Sequence, residues 1–127
     1  MEKESLRNAN EMVIESVKLV VEVEDELRSL LPTFLKKRRE ELAHLKTLVS
    51  VEDFNEIQKV GHDLRGVPGA FGYHYLVEIG ALIEEAARRG QLSLLTRMVL
   101  QYEFFMDFHS IRFEGDERTY HERDFTN

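Results

Sequence analysis

The residues best suited to chemistry lie on one stretch, VEDFNEIQKVGHDLRG, followed at once by Val67, Pro68 and Gly69. Placed on a helical wheel at about 100° per residue, Phe54, Ile57, Val60, Gly61 and Leu64 cluster on one side, which must face a core. His62 points roughly 150° away from that cluster and is expected in or near solvent. On the same polar side lie Asn55, Gln58, Lys59, Arg65, Gly66 and, if the helix extends that far, Gly69. A histidine suits phosphoryl acceptance near neutral pH, because an unperturbed pKa of about 6.5 leaves one ring nitrogen with a free lone pair. Arg65, three residues on, adds a fixed cation whose several N–H donors match phosphoryl oxygens. Glycine in an exposed helix interior costs about 1 kcal/mol relative to alanine. At position 66, one turn after His62, it clears space for a second macromolecule to reach the ring. The plainer readings are a helix terminus at Gly66 and an Arg65 that merely pairs with a carboxylate.

The other histidines offer less. His44 and His74 sit off the apolar stripes of their helices and read as surface residues, while His109 and His121 lie near or in the C-terminal tail. Glu41 and His44 have the i, i+3 spacing of a carboxylate-bundle metal motif, but a single copy is too few ligands, so no metal site is expected. The run KKRREE at 36–41 reads as a solvated face with pairs such as Lys36 with Glu40. Phe104 and Phe108 fall off the main stripe of the last helix. They either pack under the N-terminal segment or form an apolar patch for a partner.

The elements that must position His62 read as helices almost throughout. Leu6, Ala9, Val13, Val17 and Val20 describe one face of an N-terminal helix, although VKLVVEV alternates and permits an extended arm. A helix is expected from Pro32 or Thr33 to about Val49, since proline is tolerated in a first turn. Ser50 resembles the cap of the helix that carries His62. Pro68 and Gly69 should end that helix. Two further helices are expected, from about Ala70 to Arg89 and from about Leu92 to His109, the first closed by Arg88, Arg89 and Gly90. Short links between long amphipathic helices imply an up-and-down bundle. Residues 114–124 carry seven charged side chains in eleven, so a mobile tail is expected there.

Composition narrows the classes. The chain has 127 residues and a net charge of −7, which argues against coating nucleic acid or an anionic membrane. It has no cysteine, so disulfides, thiol chemistry and cysteine-bound metals are excluded. With 43% hydrophobic and 32% charged residues it fits one globular domain. The acidic start MEKES does not fit a signal peptide, and a cytoplasmic location is the expectation. Four of the seven glycines (Gly61, Gly66, Gly69, Gly72) and one of the two prolines fall within residues 61–72. There Glu56 and Asp63 offset Lys59 and Arg65 across residues 55–72, so the net acidity lies elsewhere.

The segment GHDLRGVPGAFGYHYLVEIGALIEEAARRG resembles the histidine-containing phosphotransfer (HPt) domain, and ELRSLLPTFLKKRREELAHL upstream is similar to the first helices of that family. The resemblance spans about residues 24–108. It implies an all-α, up-and-down four-helix bundle of HPt type over residues 24–112; the residue pattern adds a helical or extended segment at 1–23 and a mobile charged tail at 113–127. It implies further that His62 is the phosphorylated residue and that Arg65 stands where the family usually has lysine. Gly66 would be the clearance glycine, and Gly72 would start the next helix. By the wheel, Gly72 falls on the core side of that helix, packed closely against the His62 helix. Departures from the pattern are Arg65 itself, Val67 and Pro68. The expected function is a histidine phosphocarrier of a two-component phosphorelay, with Gln58, Lys59 and Gly69 beside the phosphoryl group or partner. The expected partners are a response-regulator receiver domain, which brings its own aspartate and Mg²⁺, and a hybrid histidine kinase. No cofactor of the chain's own is expected, nor kinase activity, since no nucleotide-binding loop is present. The alternative is a helical adaptor that binds a signalling partner without being phosphorylated.

Overall fold

The computed structural model describes residues 19–126. Strand β1 (Val20–Val23) leads through a 3₁₀ turn (Asp25–Leu30) into α1 (Leu31–Ser50), α2 (Phe54–Leu64), the one-turn α3 (Val67–Ala70), α4 (His74–Arg88) and α5 (Leu92–Phe108). Strands β2 (Ser110–Phe113) and β3 (Tyr120–His121) and a last 3₁₀ turn (Glu122–Asp124) complete the chain. The architecture is a four-helix bundle, α1, α2, α4 and α5, with a small sheet added at one end. The N-terminal pattern from Leu6 to Val17 lies outside the described residues.

Pro32 sits in the first turn of α1, where its missing N–H leaves no bond unmade. The apolar stripe Leu31, Leu35, Leu42 and Leu45 of α1 is buried against Ile57 and Leu64 of α2, Ile79 and Ile83 of α4, and Leu95, Met98 and Tyr102 of α5. Ser50 does not cap α2. It is the last residue of α1, and its Oγ donates to the Thr47 carbonyl at 2.6 Å. Asp53 takes the capping role, its Oδ1 accepting from the Glu56 N–H at 3.3 Å. The shift of three residues arises because Val51 to Asp53 form the turn between the helices.

Helix α2 stops at Leu64, earlier than the sequence pattern suggested. Pro68 does not follow it as a terminator within the same helix. It opens a separate single turn, the position proline tolerates. Helix α4 then begins at His74 rather than near Ala70, because Gly72 adopts φ +82° and breaks the chain direction.

Gly72 was expected against the His62 helix, and the structure corrects this. A Cβ at Gly72 would lie 2.2 Å from the Glu22 carbonyl oxygen, so this turn is pressed against β1. The close approach of α2 to α4 is made by Gly61 and Gly80 instead. A Cβ on Gly61 would sit 2.6 Å from the Glu84 backbone nitrogen, and one on Gly80 would sit 2.6 Å from Leu64 Cβ. Neither helix could approach the other so closely with a side chain at these positions.

The charged C-terminal residues do not form a mobile tail. Strand β2 pairs in parallel with β1 (Val21 opposite Ile111, Val23 opposite Phe113) and antiparallel with β3 (Ile111 opposite Tyr120). Val21, Val23, Ile111 and Phe113 are buried on the bundle, while Glu22 and Arg112 face solvent. Several of the charges that suggest disorder are paired, Asp116 with Arg118 and with Arg28 of the first 3₁₀ turn, and Glu122 with Arg39 of α1. Asp116 bonds Arg118 at 3.0 Å and Arg28 at 3.3 Å, and the Arg28 guanidinium lies 3.9 Å from the Phe113 ring centre. Arg39 of the KKRREE run is not a solvated residue either, since it holds Glu122 at 2.6 Å and Asp107 at 2.9 Å. Arg38, in the same run, packs 5.0 Å from the Phe34 ring and 3.4 Å from Glu41, whose carboxylate also accepts from the Tyr102 hydroxyl at 2.8 Å.

His109 was grouped with the tail, yet it is 2% exposed. Its Nδ1 faces the carbonyls of Phe105 and Met106 at 3.1 and 3.0 Å, so Nδ1 carries the proton and donates to both. Its Nε2 therefore accepts from the Tyr73 hydroxyl at 2.8 Å. Burial lowers the pKa of His109 and keeps the ring neutral.

Candidate functional site

Helix α2 presents His62 outward, with 70% of its side chain exposed. The wheel foresaw this because Ile57, Gly61 and Leu64 are buried on the opposite side. What the wheel of one helix does not reveal is the residue that comes opposite. The Gly61–Gly80 crossing brings the next turn of α4 alongside, and Glu84 arrives at His62: Nδ1 lies 3.1 Å from Glu84 Oε2. The second oxygen, Oε1, accepts from Arg65 Nη1 at 2.7 Å.

One carboxylate thus serves two neighbours on the adjacent helix. Glu84 is 21% exposed, and its pKa is lowered, first by the hydrogen bond from Arg65 and also by that from His62. An ionised carboxylate can only accept, so the hydrogen on the His62 side belongs to Nδ1. The other ring nitrogen, Nε2, then carries the lone pair in the neutral ring. That arrangement is suited to a nucleophile whose orientation and tautomer are fixed from behind.

Glu84 is the residue missed by the sequence reading. Its signal was present in the two glycines, 19 positions apart, that mark where α2 and α4 can touch. The plain alternative for Arg65, pairing with a carboxylate, is what the structure contains.

An open depression beside the imidazole is lined by Asn55, Gln58, Lys59, His62, Asp63 and Glu84. Gln58 and Lys59 thus line the same depression as His62, with Lys59 bound to Glu56 at 3.0 Å. Gly66 and Gly69 do not line it. Gly66 follows the end of α2 instead of lying within a helix, so the cost of an interior glycine does not apply. A Cβ there would meet only the Asp63 carbonyl oxygen, at 3.6 Å. Among the described residues no atom crowds the place a Cβ at 66 would take, and that place is on the outside. Gly69 belongs to α3 and faces Val77 of α4, whose Cγ2 a Cβ would meet at 3.4 Å. Beside these, Val67 is exposed to 59%.

His44 and His74 are exposed on their helices, as their wheel positions suggested. Among the described residues no group of three or more His, Asp or Glu side chains is placed to hold a metal ion. Phe104 and Phe108 are exposed on α5, with ring centres 4.7 Å apart.

A family model described as Hpt domain matches residues 29–104. No curated relative and no solved structure matches the chain.

Proposed function

The chain belongs to the Hpt domain family, and on that footing we propose that His62 is the residue that carries the phosphoryl group. Domains of this family transfer phosphoryl groups through a histidine in phosphorelays and interact with response regulators and kinases. The single observation that carries the assignment is the exposed His62 ring with its Nδ1 engaged by Glu84 and its Nε2 open. None of the other histidines combines exposure with such an anchor among the described residues: His109 is buried, His44 and His74 have no carboxylate partner, and the His121 ring accepts from the Asp124 backbone.

In the proposed reaction, His62 Nε2 attacks the phosphorus of an aspartyl phosphate on a receiver domain. The N–P bond forms as the P–O bond breaks, and the electron pair of that bond leaves with the partner's carboxylate. Nδ1 keeps its proton, so the ring becomes a cation facing Glu84. The receiver supplies Mg²⁺, and this chain contributes charge and position. Arg65 and Lys59 balance the phosphoryl charge, Gln58 offers a hydrogen bond, and Gly66 keeps the approach low. The exchange is reversible, with a hybrid histidine kinase as a second partner and no kinase activity in the carrier itself. It takes place in the cytoplasm, without nucleic acid or a membrane as a partner. Among the described residues no helix is long and apolar enough to cross a membrane.

Incubation with phosphorylated receiver domains tests the proposal. An acid-labile, alkali-stable label on the wild type that is absent from His62→Gln supports it. A wild type left unlabelled by every receiver, yet still bound to one of them, points to an adaptor instead.

A further inference from the structure

We infer that residues 6–17 of this chain form a helix that covers the exposed apolar row Leu100, Phe104 and Phe108 of α5, running parallel to it, a contact independent of phosphorylation at His62.

The row is uncovered among the described residues. Leu100 is 58% exposed, Phe104 38% and Phe108 61%, and their four-residue spacing places them on one face. Helix α1 reaches only one flank of it, where Lys46 engages Glu103 and Arg39 engages Asp107. On the other flank Gln101 accepts from the Tyr75 hydroxyl of α4 at 3.2 Å. Gln101, Phe104 and Phe108 follow i, i+3, i+7 and so share the side toward α4.

The point where the chain enters the structure selects the occupant. The Leu19 carbonyl accepts from the Ser110 N–H at 2.6 Å, and Val20 stands opposite Ser110 in the parallel pair of β1 with β2. The chain that precedes Leu19 therefore arrives beside the C-terminal end of α5, two residues from Phe108. It arrives on the α4 side, because Gly72, just before α4, is pressed against Glu22 of β1, whereas β3 leads to Glu122, held by Arg39 of α1.

The segment carries the matching pattern. Ala9, Val13 and Val17 repeat the four-residue spacing of Leu100, Phe104 and Phe108, and each row spans about 12 Å at 1.5 Å per helical residue. In a parallel arrangement Val17 meets Phe108, Val13 meets Phe104 and Ala9 meets Leu100, a small side chain against a large one at every level. Leu6 then reaches the aliphatic stem of Arg97. Lys18 joins this helix to β1 as His109 joins α5 to β2. A segment tethered at the end of the row has an effective concentration in roughly the millimolar range, which a second copy must exceed. One row of three side chains is also narrower than the roughly 800 Å² per partner that a stable dimer buries. Helix α2 packs against α1 and α4, diagonally across the bundle from α5, so the cover leaves His62 open.

The test uses the whole chain, which has no cysteine of its own. Val13→Cys combined with Phe104→Cys should close an intramolecular disulfide under mild oxidation, read as faster migration of the monomer in non-reducing gels. Glu11→Cys combined with Phe104→Cys, with its first position on the far side of the segment, should close at least about tenfold more slowly. In the wild type the amides of residues 10–17 should exchange at least about tenfold more slowly than those of an unstructured chain. Phe104→Ser with Phe108→Ser should remove that protection and leave α2 protected, which shows the bundle intact. Equal closure of the two cysteine pairs, or wild-type amides at 10–17 exchanging at unstructured rates, overturns the inference. A wild-type dimer in sedimentation that Phe104→Ser dissolves places a second copy on the row and overturns it as well.

Discussion

His62 Nδ1 and Glu84 Oε2 stand 3.1 Å apart across two helices that are 22 residues apart in sequence at this point, and this contact fixes which ring nitrogen faces outward. The contact exists because α2 and α4 meet through glycines. A larger residue at the crossing would separate His62 from Glu84.

Removing the anchor should therefore slow transfer without unfolding the bundle. Glu84→Ala is expected to lower the rate of phosphoryl uptake from a receiver about tenfold, the ratio corresponding to one hydrogen bond of ordinary net worth. Glu84→Gln, which can still accept from Nδ1–H, should lose less. Because Arg65 and His62 hold the Glu84 carboxyl below its ordinary pKa, the stability these contacts add is present above about pH 4.3 and is lost only as the pH falls below that range. Rate measurements with matched thermal melts distinguish a weakened nucleophile from a damaged fold.

The two kinds of glycine should respond in opposite ways. Gly61→Ala forces a Cβ to within 2.6 Å of the α4 backbone and should cost about 1–3 kcal/mol by overpacking, read from urea denaturation. Gly66→Ala meets nothing closer than 3.6 Å and should leave stability nearly unchanged. Its effect should be on docking, as slower transfer from a receiver at unchanged reactivity toward phosphoramidate. A Gly66→Ala variant that transfers normally would remove the role given to that glycine.

A pH response is expected from the buried end of α5. The folded pKa of His109 is depressed, so above about pH 6.5 the residue is neutral in both folded and unfolded chains. Below that value the unfolded chain takes up a proton that the folded chain refuses, and stability falls by up to about 1.4 kcal/mol per pH unit until the folded pKa is reached. Denaturation series between pH 5 and 8 should show this slope in the wild type and not in His109→Leu. Tyr73→Phe should cost about 1–2 kcal/mol at neutral pH, because His109 Nε2 loses its only donor among the described residues.

Hydrogen exchange tests the added sheet. The Ser110 N–H donates to the Leu19 carbonyl at 2.6 Å, and the Glu114 N–H donates to Val23 at 3.2 Å. The amides of residues 110–114 should exchange far more slowly than those of an unstructured chain. Phe125→Ala removes one ring from a cluster with Phe113 and Tyr120, whose centres lie 5.7 and 5.6 Å away. It should speed that exchange while leaving α2 protected.

The legible parts of this chain were those governed by a single helix. The apolar stripes gave the bundle, and the side of α2 opposite Ile57 and Leu64 gave the exposure of His62. What was not legible depended on pairs of elements. Glu84 could not be assigned to His62 from the wheel of α2, because its position is set by how α4 crosses it. The helical limits near Gly66 are ambiguous in sequence because Pro68 suits the end of one helix as well as the start of another, and here it opens the turn Val67–Ala70. In the C-terminal residues, charge density signals ion pairing rather than solvation. Arg28, Arg39 and Arg118 are spent on Asp116 and Glu122, and the alternation of Ile111, Arg112 and Phe113 was the strand signal among those charges. In β1, the alternation of VVEV matches the extended alternative that the sequence leaves open beside a helix.

The most direct measurement is the site of phosphorylation itself, read from ³¹P–¹⁵N couplings and histidine ring ¹⁵N shifts in the chain phosphorylated by its receiver. The account predicts one phosphohistidine, at His62 and on Nε2, with Nδ1 still protonated toward Glu84. A phosphoryl group on Nδ1 of His62, or on any other histidine, would contradict it.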